Sequence, residues 1–257
     1  MSLSDAELER YARHIVLPQI GGPGQRTLKA RRIAIVGAGA IGSAAIPALA
    51  GAGIGRLTII DDDVIERSNL HRQLIYRDDQ AGQGKAAVAA HFATGLNPDI
   101  EAVPVAARID DCNAKELLAG HDMVVDGSDN FATRLAVNSA CVVLAIPLVS
   151  AAAAQFQGQL AVLRGWEPGQ PCYRCFVGDA FDSDECDACS ELGVLGALAG
   201  AVGHFAALLA IRALLGIGSD AAGRLFVMDG LSLSWRSLPL AKDSGCRTCG
   251  GANAATA

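Results

Sequence analysis

The stretch that decides the fold of this chain is residues 32–72, RIAIVGAGAIGSAAIPALAGAGIGRLTIIDDDVIERSNLHR. A β-type run at 32–36 leads into the turn GAGAIG at 37–42, and an alanine-rich helix and a second strand ending in Asp61 follow. The glycines allow the backbone to approach phosphate groups, which the dipole of the following helix attracts. Asp61 stands where an acid can bind a ribose hydroxyl. The segment therefore predicts a nucleotide site, but the glycines alone do not say which nucleotide.

Strand-like and helix-like segments alternate up to residue 150, which is typical of a parallel, doubly wound sheet. Beyond that point strands are predicted without intervening helices, at 159–163, 225–229 and 232–238. The predicted fold is therefore α/β, a Rossmann-like, mostly parallel sheet extended by antiparallel C-terminal strands. The length of 257 residues and the hydrophobic content of 51% suit one large domain. The formal net charge of −6 argues against binding to nucleic acid or to a membrane surface.

Acids follow two of the predicted strands, Asp61 after the second and Asp129 after the fourth. Because ligands of open parallel sheets bind beyond the carboxyl ends of the strands, both acids are expected in one crevice. Asp129 could place Mg²⁺ on a phosphate, or it could cap the helix that starts near residue 130. The cations Arg72 and Lys85 lie in segments on the same side. An enzyme that joins two anions needs such charges more than a dehydrogenase does.

Six of the eight cysteines form three C-x-x-C pairs, at 172/175, 186/189 and 246/249. No secretion signal precedes them, because residues 1–5 are polar. We therefore expect metal or redox chemistry in the cytoplasm rather than disulfides. A structural zinc needs four ligands. Spacing alone leaves two choices, the first and second pairs or the first and third. Cys112 and Cys141 are expected to pack as small apolar residues.

Residues 192–217 form the one stretch apolar enough to suggest a membrane span. It contains the small-residue pattern Gly196-x-x-x-Gly200, which membrane helices use for packing. The stretch is isolated, has no basic flank on its N-terminal side and follows a segment crowded with acids and cysteines. We therefore expect a buried helix of a soluble protein.

Eight motifs between residues 4 and 251 occur in a specific order: RYARHIVLP (10–18), GAGAIGS (37–43), DDDVIERSNLHRQ (61–73), GKA (84–86), GSDN (127–130), CYRC (172–175), DGLSLSWRSLPL (229–240) and GCRTCGG (245–251). In these motifs the chain resembles the ThiF/MoeB/HesA family, the bacterial relatives of ubiquitin-activating enzymes. The acids at 61–63 and the tail segment 235–238 lean toward the ThiF branch. The resemblance implies a helical arm over 1–30, an adenylation domain over 31–251 and a disordered tail over 252–257.

The resemblance also implies an activity. An enzyme of this kind uses ATP to adenylate the C-terminal Gly-Gly carboxylate of a ubiquitin-like sulfur carrier and releases pyrophosphate. The ThiF branch does so for thiamine synthesis. A molybdopterin-type carrier, or one of another thiolation pathway, is the alternative. A sulfurtransferase or a cysteine desulfurase is a candidate further partner.

Site residues follow by motif from the same resemblance. The ATP site would comprise Gly37, Gly39, Ala40, Gly42, Asp61, Asp63, Asn69, Arg72, Lys85, Asp129 and Asn130, with Asp129 placing Mg²⁺. Arg13 would reach into the partner subunit's site, so a homodimer is implied. The Zn²⁺ ligands would be Cys172, Cys175, Cys246 and Cys249. Cys189 stands where ThiF-type enzymes carry a cysteine that links covalently to the carrier, and the additional Cys186 could resolve that link or compete for zinc.

Two other classes remain at the level of sequence. A nicotinamide-dependent dehydrogenase fits the glycine-rich turn and Asp61 equally well, but it leaves Asp129, the cations and the cysteine pairs unexplained. A non-catalytic adaptor stapled by zinc would explain the cysteines but not the charged residues around the turn.

Overall fold

The computed structural model describes residues 2–179 and 193–250. Within them, one sheet contains the strands β1 Arg32–Val36, β2 Arg56–Ile60, β3 Glu101–Val105, β4 Met123–Asp126, β5 Leu148–Ala154, β6 Gln157–Leu163, β7 Arg224–Asp229 and β8 Ser234–Pro239. The helices are α1 Asp5–Arg10, α2 Ala12–Ile15, α3 Gly21–Ala30, α4 Gly42–Gly51, α5 Lys85–Leu96, α6 Ala114–Leu118, α7 Phe131–Leu144, α8 Tyr173–Val177 and α9 Gly196–Leu215.

The strand order is β3-β2-β1-β4-β5-β6-β7-β8. The first five strands are parallel, and β6, β7 and β8 are antiparallel additions to one edge. This confirms the predicted fold class. The strand order reverses between β1 and β4, and at such a switch point a crevice opens beyond the carboxyl ends of the strands.

The central strands are buried on both faces, as parallel strands between two helical layers must be. On one face, Ile33 and Ile35 of β1 pack in a cluster that contains residues of α4, α5 and α9. On the other face, Ala34 and Val36 pack with residues of α6 and α7. Successive side chains of β1 point to opposite faces of the sheet, so this one strand contributes to both core layers.

Helix α9 is long and apolar enough, by length and composition, to cross a membrane. In the fold, however, it lies across the sheet with one side buried, including Leu198, Val202 and Ala206. A Cβ at Gly203 would lie 2.4 Å from the carbonyl oxygen of Ile41 and 2.8 Å from the Cβ of Ala44. The small residues of α9 thus allow close contact with the start of α4, the packing role expected of a buried helix.

The N-terminal segment differs in detail from the sequence-based prediction. The predicted helical arm is not continuous: it is interrupted at Tyr11, whose buried hydroxyl accepts a hydrogen bond from Asn97 at 2.8 Å. The glycine- and proline-rich segment from Gly21 forms the first turn of α3, although glycine and proline usually disfavour helices. Pro23 is tolerated there because the first turn has amides without intrahelical partners. Cys112 was expected to pack, but it is exposed.

Candidate active site

A pocket of about 880 Å³ opens at the switch point between β1 and β4. Its wall contains the glycine-rich turn after β1, the acids after β2 and the segment after β4. Of the residues that the motifs predict for the nucleotide, those in the pocket lining are Gly37, Gly39, Ala40, Asp61, Asp63, Asn69, Arg72, Lys85, Asp129 and Asn130. The fold thus brings together residues that are up to 93 positions apart, from Gly37 to Asn130.

The glycine-rich turn has its shape because two of its residues have no side chain. Gly37 has a φ of +84°, and a Cβ there would lie 3.2 Å from the amide nitrogen of Ser128. Gly42 begins α4, and a Cβ on it would lie 1.9 Å from the carbonyl oxygen of Gly37. Gly42 was predicted to bind ATP, but it lies behind the turn and outside the pocket lining. Its contribution is to let the turn close at the N-terminus of the helix.

Asp61 is bonded directly to this turn. One carboxylate oxygen accepts a hydrogen bond from the Ala38 amide at 2.7 Å, and the other accepts from the Asp63 amide at 2.8 Å. Burial raises the pKa of the Asp61 carboxyl, although these two hydrogen bonds and the nearby Lys85 oppose that change. The Asp61 carboxylate lies at the pocket wall. A hydroxyl group bound in the pocket would add a further hydrogen bond to it.

Two cations face the pocket in different environments. Lys85 begins α5 with its side chain only 6% exposed, and its ammonium group donates to Asp63 at 2.8 Å. The Arg72 guanidinium donates to the Asn69 side-chain oxygen at 2.6 Å and contacts the His71 ring nitrogen Nε2 at 2.9 Å. Within residues 2–179 and 193–250, Arg72 makes no ion pair with an acid. Its charge is therefore available to an anion in the pocket.

Asp129 does not cap the helix that follows it. Asn130 is the N-cap of α7, and its side-chain oxygen accepts a hydrogen bond from the Thr133 amide at 2.8 Å. Asp129 is exposed at the pocket wall, and no donor among the described residues bonds to its carboxylate. The alternative role as a cap is thus wrong for Asp129, and its oxygens are free to bind a cation such as Mg²⁺.

The third cysteine pair meets the first pair in the fold. The sulfur atoms of Cys172, Cys175, Cys246 and Cys249 all lie within 4.8 Å of one another. Individual Sγ–Sγ distances are 3.9, 3.7 and 3.4 Å, close to the value of about 3.8 Å that a tetrahedral site with zinc–sulfur bonds of about 2.3 Å requires. Burial raises the pKa of the Cys172 thiol to about 11, and a bound metal ion would favour the thiolate form that zinc coordination uses. The cluster fits zinc in donor type and spacing.

Arg13 and Cys189 were also given catalytic roles by the family resemblance. Arg13 is an exposed residue of α2 and is not part of the pocket lining. Its predicted role in a partner subunit's site stays a prediction. Cys189 and Cys186 lie outside the described residues.

The profile of the ThiF family matches residues 11–248. The chain belongs to the ThiF family. It is 43% identical over 250 residues to the SAMP-activating enzyme E1 of Haloferax volcanii, with coverage of 97% of this chain and 92% of the relative. It is 41% identical to the sulfur carrier protein ThiS adenylyltransferase of Escherichia coli over 98% of this chain and 99% of that protein. It is 40% identical to the molybdopterin-synthase adenylyltransferase of the same organism, over 96% and 98%.

Among solved structures, Escherichia coli MccB with MccA-N7isoASN matches this ThiF-family chain with a TM-score of 0.83, over 97% of this chain and 76% of MccB. The sequence identity of 21% makes this a likeness of fold alone. Two of the relatives with higher identity are named adenylyltransferases, one of ThiS and one of molybdopterin synthase. Family membership is therefore shown, whereas the choice between these carriers is not.

Sequence analysis missed a buried guanidinium in this ThiF-family site. Arg134 of α7 is 6% exposed and lines the pocket. It donates to the carbonyl oxygens of Ser128 and Ala151 and to the hydroxyl of Ser150. It thereby ties the segment that carries Asp129 to strand β5. An arginine within a helix of mostly apolar residues was the only available signal, and it does not reveal which carbonyls the side chain reaches.

Proposed function

We propose that this protein is an ATP-dependent adenylyltransferase that activates the C-terminal carboxylate of a ubiquitin-like sulfur carrier ending in Gly-Gly. The observation that carries the proposal is the meeting of Arg72, Lys85 and Asp129 in one pocket with the glycine-rich turn. A dehydrogenase has no use for this set of charges, and a non-catalytic adaptor has no use for the pocket.

In the proposed reaction, a carboxylate oxygen of the carrier attacks the α-phosphorus of ATP, and the bond to the bridging oxygen of pyrophosphate breaks. The turn of residues 37–40 holds the phosphates and Asp61 holds the ribose. Arg72 and Lys85 neutralise charge that grows on the leaving pyrophosphate. Asp129 would hold Mg²⁺, which supplies further neutralisation of the phosphates when bound. The product is an acyl-adenylate that a sulfur nucleophile can attack.

The finer assignment is to a ThiS-like carrier in thiamine biosynthesis. Its support is limited to the sequence features at 61–63 and 235–238, because identity to the ThiS activator and to the molybdopterin-synthase activator is nearly equal, at 41% and 40%. A molybdopterin-type carrier is therefore the second candidate. We further propose a cytoplasmic homodimer in which Arg13 completes the partner's site, and Zn²⁺ bound by the four clustered cysteines. The same proposal includes a covalent link between Cys189 and the carrier. It also includes a sulfurtransferase or a cysteine desulfurase as the partner that donates sulfur.

The decisive experiment is exchange of labelled pyrophosphate into ATP with each carrier type in turn. A ThiS-type carrier is expected to give exchange, and the same carrier without its two terminal glycines is the matched control. Exchange with a molybdopterin-type carrier alone would replace the thiamine assignment. Absence of exchange with every Gly-Gly-ended carrier, from a protein that binds ATP, would contradict the proposed activity.

A further inference from the structure

The β5–β6 hairpin carries a residue in an unusual backbone conformation at the edge of the pocket. Gln155 is the first residue of the two-residue connection between these strands and has a φ of +52°. Hairpin turns that need a positive φ at this position favour glycine, since a side chain there crowds the backbone. The conformation is fixed on both sides of the turn: Gln155 donates its amide to Gly193 at 2.6 Å, and Phe156 accepts from the Gly230 amide at 2.7 Å.

Two other non-glycine residues within the described chain share this conformation, Ala145 and Leu233. Neither belongs to the pocket lining, whereas Gln155 does. Ala145 ends α7 and Leu233 lies in the turn before β8. Gln155 is therefore the one of the three whose unfavourable backbone conformation lies in the lining of the candidate active site. Backbone strain of this kind is concentrated at functional sites.

The position of Gln155 suits a substrate other than the nucleotide. Pairing between β4 and β5 ends at Asp126 and Ser150, level with the end of β1 and the start of the glycine-rich turn. Gln155 lies five residues beyond Ser150, just past the end of β5, roughly 16 Å away at about 3.3 Å per residue. It is exposed there, at the mouth of the pocket.

The chemistry of this wall also differs from that of the phosphate-binding wall. Gln155, Gln157 and Gln159 form a row of amides in the pocket lining, beside the small side chains of Ala152–Ala154. A glutamine amide both donates and accepts hydrogen bonds, as a peptide backbone requires, whereas phosphate oxygens only accept. The alanines leave room for a narrow chain.

We infer that Gln155 is a specificity-determining residue that hydrogen-bonds the backbone of the carrier's extended C-terminal tail as it enters the pocket. This inference rests on the proposed function. If it is correct, the Gln155 side chain improves binding of the carrier but lowers the stability of the fold. Substitutions at this position can measure carrier binding and stability separately.

The test compares Q155G, Q155N and the control A145G in the full-length protein, with the carrier that supports pyrophosphate exchange in the wild type. Q155G should raise the thermal midpoint by about 2–4 °C, because glycine accepts a positive φ. It should also raise the KM for the carrier about three- to tenfold, with kcat and ATP affinity unchanged. A145G should raise the midpoint similarly and leave the carrier KM unaltered. Q155N keeps an amide and tolerates this conformation, so its KM should lie between those of the wild type and Q155G.

A Q155G protein with an unchanged carrier KM would show that Gln155 is merely a turn residue, and a lowered midpoint would refute the argument from strain. An equal rise in KM for A145G would mean that the effect is not local to the pocket. If the wild type shows no exchange with any carrier, the proposed function fails first, and this inference fails with it.

Discussion

At the scale of single residues, the charged side chains of the candidate site are held by different kinds of partner. Lys85 is buried and already paired with the half-exposed Asp63, while Arg72 contacts the side chains of Asn69 and His71. Asp61 is held at the turn by two amides although burial opposes its charge. These arrangements place charge where an anionic ligand would bind before any ligand arrives, which is the condition for electrostatic catalysis.

Substitution of Lys85 by Met tests this arrangement. We expect carrier-dependent pyrophosphate exchange to fall about 10²–10³-fold, the usual cost of losing one preorganised charge in an active site. The thermal midpoint should change little, because the freed Asp63 carboxylate is 55% exposed and stays hydrated. Lys85→Arg is the matched control and should retain part of the rate. An equal loss of rate and of stability in K85M would point to a structural role instead.

His121 predicts a pH dependence of stability that is independent of the active site. Burial lowers the pKa of its imidazole, whose Nε2 contacts the Thr58 hydroxyl at 2.8 Å. The unfolded chain therefore binds a proton more tightly than the folded chain does. The contribution of neutral His121 to the free energy of unfolding is fully present above the pKa of the unfolded chain, about 6.5. It is lost as the pH falls from there through the lower pKa of the folded chain.

Urea unfolding at pH 7.5 and at pH 5.5 measures this effect. The free energy of unfolding should be lower at pH 5.5, and the difference should shrink in H121Q, which keeps polar groups but does not titrate there. An identical difference in both proteins would assign the pH dependence to other groups.

At the scale of elements, the apolar helix α9 is held against the fold by its close packing on α4. The contact requires a glycine at 203, since any side chain there meets the Ile41 carbonyl at the start of α4. The same end of α4 follows the glycine-rich turn. The packing of α9 therefore supports the wall of the pocket.

Gly203→Ala should destabilise the protein by about 1–3 kcal/mol, the typical cost of overpacking. Gly200→Ala in the same helix is the control, because a Cβ there would have no heavy atom within 4 Å. That substitution should stabilise by about 0.5–1 kcal/mol through helix propensity. Denaturant unfolding of both variants measures the contrast. Equal effects would show that α9 does not press on α4 as the fold indicates.

At the scale of the whole molecule, the cysteine cluster joins segments 74 residues apart, Cys172 near α8 and Cys246 in the tail. The cluster packs with Val142 of α7. A metal ion there would hold the C-terminal segment to the body of the domain, far along the chain from the glycine-rich turn.

We expect about one zinc per chain by elemental analysis. Removing it with a chelator should lower the thermal midpoint by on the order of 10 °C, since metal binding contributes directly to folding. Cys246→Ser should behave like the chelated protein, whereas Cys112→Ser, at an exposed cysteine outside the cluster, should behave like the wild type. A metal-free protein with an unchanged midpoint would contradict the structural role.

By itself, the sequence determined the alternation of strands and helices, the glycine-rich turn and the acids that end β2 and follow β4. These features depend on local spacing and on side-chain chemistry, which a linear pattern carries directly. The family motifs added the roles of the cations. The choice of Cys172, Cys175, Cys246 and Cys249 as zinc ligands came only through that resemblance, because spacing left two choices of cysteine pairs open.

Only the tertiary structure brought the first and third cysteine pairs together, made Asn130 rather than Asp129 the cap of α7, and placed Gly42 behind the turn. It alone revealed Arg134 beneath the Asp129 segment and Gln155 at the pocket mouth. The physical reason is common to all of them. Each depends on which distant backbone groups lie within hydrogen-bond or van der Waals distance, and sheet order and helix packing set those distances rather than spacing along the chain.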